Sequence, residues 1–302
     1  EESKMKITKA LMVLFVILSI MCSTIACSRN SHTAPVEDGN NSLKIYTTFY
    51  PLYDFTKKIV GSSADVENLI PAGVEPHDFE LSPKQAANIY DADIFIFLGE
   101  SMEPWATKIA HDLDKQGIRV IEAGKGLIEN HDPHIWLDPV LASKMAKRIF
   151  DGIVSVDKEH EEVYTDNLTQ ITKKLDELDN SFKQLISGSQ TKDIVTSHAF
   201  FSYAARRYGF NQLAITGLSP QEEPSMKKRQ ELKDFCDANN IKYIVAGQGE
   251  NSKLVQILSQ DTGAEILELN PLETLRNDEI QAGEDYFSVM EKNLEVLKTA
   301  LN

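Results

Sequence analysis

The chain has 302 residues, of which 42% are hydrophobic, and this length can bury one large core or two ordinary ones. We therefore expect two lobes. The formal net charge of −15 argues against nucleic acid as a partner and mildly favours cations.

Residues 1–27 have the pattern of a secretory signal peptide. Three lysines precede an apolar run over 10–21, and small residues lead to a cysteine. The apolar run is shorter than the ~20 residues that a membrane-spanning helix needs. We therefore expect an exported protein and not an integral membrane protein.

Cys27 closes this segment in the motif T-I-A-C, which resembles a bacterial lipobox. The resemblance implies that Cys27 carries a lipid and becomes the mature N-terminus, so that acyl chains hold the protein on a membrane face. Residues 28–42 are rich in Ser, Asn, His, Pro and Gly and are predicted to be a flexible tether.

Residues 43–155 alternate short apolar runs with amphipathic stretches, which is typical of βα units around a mainly parallel sheet. The predicted strands are 43–49, 66–70, 94–98 and 120–122. The predicted helices are 51–60, 83–92, 104–116 and 141–153. Together these elements predict an N-terminal α/β lobe.

Residues 156–190 are predicted to link two lobes. Between about 158 and 185 the chain lacks Gly and Pro, and apolar residues recur at three- and four-residue steps. This spacing predicts one helix longer than ~35 Å at ~1.5 Å per residue.

Residues 191–302 repeat the alternation and predict a C-terminal α/β lobe. The predicted strands are 193–196, 212–216, 243–246 and 266–269. The predicted helices are 225–239, 252–262 and 285–301. The predicted fold is therefore α/β, with two similar βα-type lobes joined by one long rigid helix.

Three of the seven histidines lie where predicted strands run out, namely His77, His134 and His198. In open α/β sheets, ligands bind outside the carboxyl ends of the strands, so three such histidines can converge. Neutral imidazole is a common zinc ligand, and without a cysteine cluster a carboxylate must supply the fourth donor. The sequence therefore predicts a zinc site.

Three motifs surround these histidines: G-V-E-P-H-D-F-E-L-S-P, D-P-H-I-W-L-D-P and T-S-H-A-F-F-S-Y-A-A-R-R-Y-G-F. They resemble the cluster A-I family of solute-binding proteins for zinc and manganese, especially its Gram-positive zinc members. The resemblance implies two lobes with one Zn²⁺ per chain in the cleft between them. It also implies a lipid-anchored monomer on the extracytoplasmic face of the bacterial membrane, which delivers the ion to a cognate ABC permease.

Carried over by motif, the metal ligands are His77, His134 and His198. The fourth ligand is Glu273, because N-P-L-E resembles the segment that completes the site in several Gram-positive relatives. An alternative fourth ligand is Glu284 or Asp285 at the head of the final helix, from near which manganese-type relatives take an Asp.

Asp138 has two possible roles from the sequence. It could orient a ligating histidine from outside the metal site, or cap the helix that begins at the following proline.

Three alternative functions remain at this point. Manganese members carry Glu at the T-S-H position, so His198 favours zinc over manganese import. A surface adhesin is the second alternative, since some streptococcal relatives are described as binding laminin. The third is a zinc hydrolase, but the chain lacks H-E-x-x-H and G-x-S-x-G, and we expect no enzyme.

Overall fold

The computed structural model describes residues 42–222, 224–250 and 253–302. The predicted signal peptide, the lipidation of Cys27 and nearly all of the predicted tether fall on residues 1–41, outside this range. No helix among the described residues combines the length and the apolar character needed to cross a membrane.

The first lobe is a four-stranded parallel sheet with helices between successive strands. Its strands are β1 (Leu43–Thr47), β2 (Ala64–Asn68), β3 (Ile94–Phe97) and β4 (Arg119–Glu122). Its helices are α1 (Tyr50–Val60), α2 (Pro83–Ile89), α3 (Pro104–Lys115) and α4 (Pro139–Val154). Each of these helices has a proline at one of its first two positions, where the missing N–H costs no helical hydrogen bond.

The helix α5 (Glu161–Gly188) links the two lobes within the predicted segment 156–190. Its 28 residues span about 42 Å. One face is buried, including Ile171, Leu175, Leu178 and Phe182, and it packs against α1 and α4. The three- and four-residue spacing of these side chains is what lets one helix follow both lobes.

The second lobe repeats the architecture of the first. Its strands are β5 (Asp193–Thr196), β6 (Asn211–Ala214), β7 (Tyr243–Gly247) and β8 (Glu265–Leu269). Its helices are α6 (Ser202–Tyr208), α7 (Met226–Asn239), α8 (Lys253–Thr262), α9 (Asn277–Gln281) and α10 (Tyr286–Ala300). Two helical elements were absent from the sequence prediction, α6 and α9, as was a 3₁₀ turn at Ile135–Leu137 in the first lobe.

The strand order is the same in both sheets: β2-β1-β3-β4 in one and β6-β5-β7-β8 in the other, with every pair parallel. In each sheet the chain adds strands first on one side of the central strand, β1 or β5, and then on the other. At such a reversal of strand order, a crevice forms at the carboxyl ends of the strands. The largest apolar cluster runs through both lobes and α5 without interruption. The two α/β lobes and the linking helix that the sequence predicts are therefore confirmed.

Candidate metal site

Four loops at the carboxyl-end side of the two sheets bring the predicted ligands together. His77 lies in the loop between β2 and α2, and His134 directly precedes the 3₁₀ turn. His198 follows β5 by two residues, and Glu273 lies in the loop after β8. Each lobe therefore contributes two of the four side chains.

The donor atoms of these four residues lie within 4.8 Å of one another. Oε1 of Glu273 is 3.5 Å from Nε2 of His77, 3.4 Å from Nε2 of His134 and 3.3 Å from Nε2 of His198. The Nε2 atoms of His134 and His198 are 3.3 Å apart. All four side chains are at least 92% buried, since His77 is 8% exposed and the others 3% or less.

These separations match the edges of a zinc coordination tetrahedron. Zn–N and Zn–O bonds of about 2.0–2.1 Å place tetrahedral donors roughly 3.3–3.4 Å apart. Nε2 of His77 and Oε1 of Glu273 are buried and have no hydrogen-bond partner in the described structure. Buried polar atoms normally find partners, so their convergence on one point indicates a cation site.

Two further carboxylates orient the imidazole rings from outside the cluster. Nδ1 of His134 lies 2.7 Å from Asp132 Oδ1, and Nδ1 of His198 lies 2.8 Å from Glu250 Oε2. A proton held on Nδ1 by a carboxylate leaves the Nε2 lone pair free to bind a metal. Neither carboxylate was predicted from the sequence to act at the site.

The turn after β7 places the carboxylate of Glu250 against the ring of His198. Oε2 of Glu250 also accepts a hydrogen bond from Ser197 Oγ at 2.7 Å, and this hydroxyl accepts one from the Gly247 N–H. A Cβ atom on Gly247 would lie 2.0 Å from Glu250 Oε1. A side chain at this strand end would therefore push the Glu250 carboxylate away from His198.

Electrostatic coupling within the cluster shifts three pKa values. Burial alone would lower the pKa of His198, but its hydrogen bond to Glu250 and the neighbouring carboxylate of Glu273 raise it to about 10. Burial would raise the pKa of Glu273, yet the three imidazoles hold it well below its usual range. Burial, followed by the charge of Glu273, raises the pKa of Glu75 to about 7.

The remaining predicted site residues lie outside the cluster. Asp138 caps α4, accepting hydrogen bonds from the N–H groups at 140 and 141, and pairs with Arg207 at 2.6 Å. The structure thus gives Asp138 the capping role, whereas Asp132 and Glu250 orient the histidines. Glu284 pairs with Lys292, and Asp285 caps α10.

Buried hydrogen bonds tie the two lobes together beside the cluster. The indole N–H of Trp136 donates to the carbonyl of Pro271 at 2.8 Å, and the hydroxyl of Tyr286 donates to the carbonyl of Trp136. The hydroxyl of Tyr203 donates to the carbonyl of Asp132 at 2.8 Å. These contacts fix the loops that carry His134 and Glu273 to each other.

This geometry defines a two-lobed α/β protein with a preformed, water-excluding cation site between its lobes. The family model described as "Zinc-uptake complex component A periplasmic" matches residues 45–300. The chain belongs to this family.

Two curated relatives match nearly the whole chain. The zinc-binding lipoprotein AdcA of Streptococcus pneumoniae R6 is 38% identical, over 93% of this chain and 60% of that protein. The high-affinity zinc uptake system protein ZnuA of Bacillus subtilis is 36% identical, over 95% of this chain and 97% of that protein. The chain therefore spans about 60% of the length of AdcA.

Solved structures share the fold. The Zn(II)-bound ZnuA-like domain of S. pneumoniae AdcA superposes with a TM-score of 0.77 at 41% identity, covering 86% of this chain and 99% of that domain. The laminin-binding protein Lmb of Streptococcus agalactiae gives a TM-score of 0.79 at 35% identity, covering 86% of this chain and 100% of that protein. Its structure is described as that of a bifunctional protein with adhesin and metal-transporting activity.

Proposed function

We propose that this chain is the extracytoplasmic zinc-binding component of an ABC importer, which captures one Zn²⁺ and delivers it to a cognate membrane permease. The ligands are His77, His134, His198 and Glu273. The observation that carries the proposal is the convergence of three Nε2 atoms on one buried carboxylate oxygen at 3.3–3.5 Å, which is close to the edge of a zinc tetrahedron.

The donor set favours zinc over manganese. Three imidazole nitrogens suit zinc, whereas manganese prefers a larger share of hard oxygen donors. Four protein donors also leave no open coordination position for a reacting water, so the site favours binding over catalysis.

The named relatives support zinc as the cargo and a lipid anchor as the means of attachment. AdcA is named a zinc-binding lipoprotein and ZnuA a zinc uptake protein. We accordingly propose that Cys27 is lipidated and holds the protein, as a monomer, on the outer face of the cell membrane. Phase partitioning of wild type against Cys27→Ala in native cells tests the anchor, and equal solubility of the two would contradict it.

The decisive experiment for the site is metal analysis followed by a competition titration with a zinc chelator. Glu273→Ala removes the buried carboxylate from the cluster, and zinc affinity should fall by about 100-fold or more, since an oxygen that would bind the metal directly is lost. Glu284→Ala is the matched control because that carboxylate pairs with Lys292 outside the cluster. Stronger weakening by Glu284→Ala than by Glu273→Ala would refute the ligand assignment.

A second candidate function is adhesion, which the likeness to Lmb favours. Surface plasmon resonance on immobilised laminin, with zinc-loaded and metal-free protein, separates it from import. Saturable laminin binding would add adhesion to the proposed import, and its absence would remove it.

A further inference from the structure

A groove of about 610 Å³ lies at the outer edge of the first sheet, between β4 and α4. Five basic side chains and two carboxylates line this basic groove. The basic residues are Arg119, Lys125, Lys144, Lys147 and Arg148. The whole chain has 31 basic and 46 acidic residues, so this groove is a basic region on a protein whose net charge is negative.

Much of this positive charge is not neutralised within the chain. Nζ of Lys147 pairs with the carboxylate of Asp151 at 2.5 Å. Among the described residues, no ion pair involves the other three exposed cations of the groove, Arg119, Lys125 and Lys144. These three side chains are therefore available to an anionic partner.

The two walls of the basic groove, α4 and β4, pack directly against each other. The guanidinium of Arg148 donates hydrogen bonds to the main-chain carbonyls of Ala123 and Lys125, which fixes it across the end of β4. The helix α4 also lies unusually close to β4, since a Cβ atom on Gly152 would be 2.3 Å from Cδ1 of Ile121. These contacts hold α4 beside the edge strand, so that the cations of both elements line one groove.

Among the described residues, no strand pairs with the outer edge of β4, which borders the groove. β4 is the terminal strand of its sheet, and the N–H groups of Arg119 and Ala123 point to β3, bonding Asp93 and Phe97 at 2.9 and 2.8 Å. In a parallel ladder the intervening peptide groups alternate in direction, so the N–H and C=O of Val120 point away from the sheet. An edge of this kind is a template for pairing with another extended chain.

We propose that the basic groove binds an acidic, extended peptide segment of a partner protein. The segment adds as a fifth strand beside β4, and its carboxylates face Arg119, Lys125 and Lys144. Phosphate or a lipid headgroup would use the cations but not the unpaired strand edge, so the two features together favour a peptide. The proposal does not depend on zinc binding, because the groove shares no residue with the metal cluster.

The first test measures binding of a labelled octapeptide of alternating Val and Glu to the full chain by fluorescence anisotropy. Binding should weaken as salt increases, and a Val-Lys octapeptide should not bind. The double reversal Lys125→Glu with Lys144→Glu should weaken binding by about tenfold or more. The matched control reverses Lys227 and Lys253, two exposed lysines of the second lobe, and should leave binding unchanged.

The second test separates strand addition from simple anion binding. Val120→Pro removes an outward N–H from the edge strand while keeping the ladder to β3, and should weaken peptide binding. A Val-Glu octapeptide with N-methylated valines should also bind weakly, and it needs no change in the protein. Unaltered zinc affinity in each variant shows that the fold is intact.

Equal binding of the octapeptide by wild type and the double reversal overturns the proposal. The proposal is also overturned if the double reversal weakens octapeptide binding but neither Val120→Pro nor N-methylation of the valines does. In that second outcome, titration with inorganic phosphate and with vesicles containing phosphatidylglycerol would assign the groove to an anion or to a lipid surface.

Discussion

Acidification should weaken zinc binding because a proton and the zinc ion compete for His198. Burial would lower the pKa of His198, but the hydrogen bond of its ring to Glu250 and the neighbouring carboxylate of Glu273 raise it to about 10. Below that pH, the metal-free site holds a proton on His198 that zinc must displace. Raising the pH removes this competitor, so zinc affinity should increase with pH up to about 10.

The displacement of one proton sets the magnitude of the effect. The dissociation constant should change about tenfold per pH unit, or ~1.4 kcal/mol, and thus roughly 100-fold between pH 8 and pH 6. Glu273 adds nothing to this slope, because the three imidazoles hold its pKa well below its usual range and it stays ionised.

Chelator competition at pH 6, 7 and 8 measures the slope, and calorimetry in buffers of different ionisation enthalpy counts the protons released. Glu250→Gln is the informative variant, since its amide oxygen still accepts a hydrogen bond from Nδ1 of His198 but carries no charge. The pKa of His198 should fall, and fewer protons should be released at pH 8. Equal zinc affinity at pH 6 and pH 8 in wild type would refute the reasoning.

Three further predictions concern selectivity and stability. His198→Glu replaces a nitrogen donor by a charged oxygen and should narrow the preference for zinc over manganese, as competition titrations with both metals would show. Glu103 is fully buried, and burial raises its pKa to about 7, so the free energy of unfolding should fall as pH rises from about 4.5 to about 7. Urea denaturation of Glu103→Gln should lack this decrease, which amounts to at most about 3 kcal/mol. Trp136→Phe leaves the carbonyl of Pro271 unpaired and should cost about 1–3 kcal/mol in the same assay, with weaker zinc binding.

Local patterns in the sequence were sufficient to predict the long elements of the fold. Apolar spacing and a proline near the start located α1, α2 and α3, and apolar spacing without Gly or Pro located α5. The helices α6 and α9 have only seven and five residues, and unlike the equally short α2 they have no proline in the first turn to mark where they begin. The strand order could not be predicted, because pairing between strands leaves no local signal.

Contacts between distant parts of the chain also limited what the sequence could predict about the candidate site. The three histidines follow predicted strands or lie in motifs, and Asp132 stands two residues before His134, a spacing that could have suggested their contact. Glu250 is 52 residues from His198, and only the folded turn after β7 reveals that they touch. The sequence left Glu284 and Asp285 as alternatives to Glu273 for the fourth ligand, because sequence alone does not tell which loop reaches the cleft.

The even division of the four cluster residues between the lobes has a mechanical consequence. Zinc–ligand distances in proteins lie within ~0.2 Å of their usual values, so displacing one lobe by ~1 Å would take two of the four donors well outside that range. A receptor that holds the lobes at a slightly different spacing could therefore release the ion without touching any ligand. The zinc affinity of such a protein depends on the distance between its two lobes as much as on the ligands that each lobe provides.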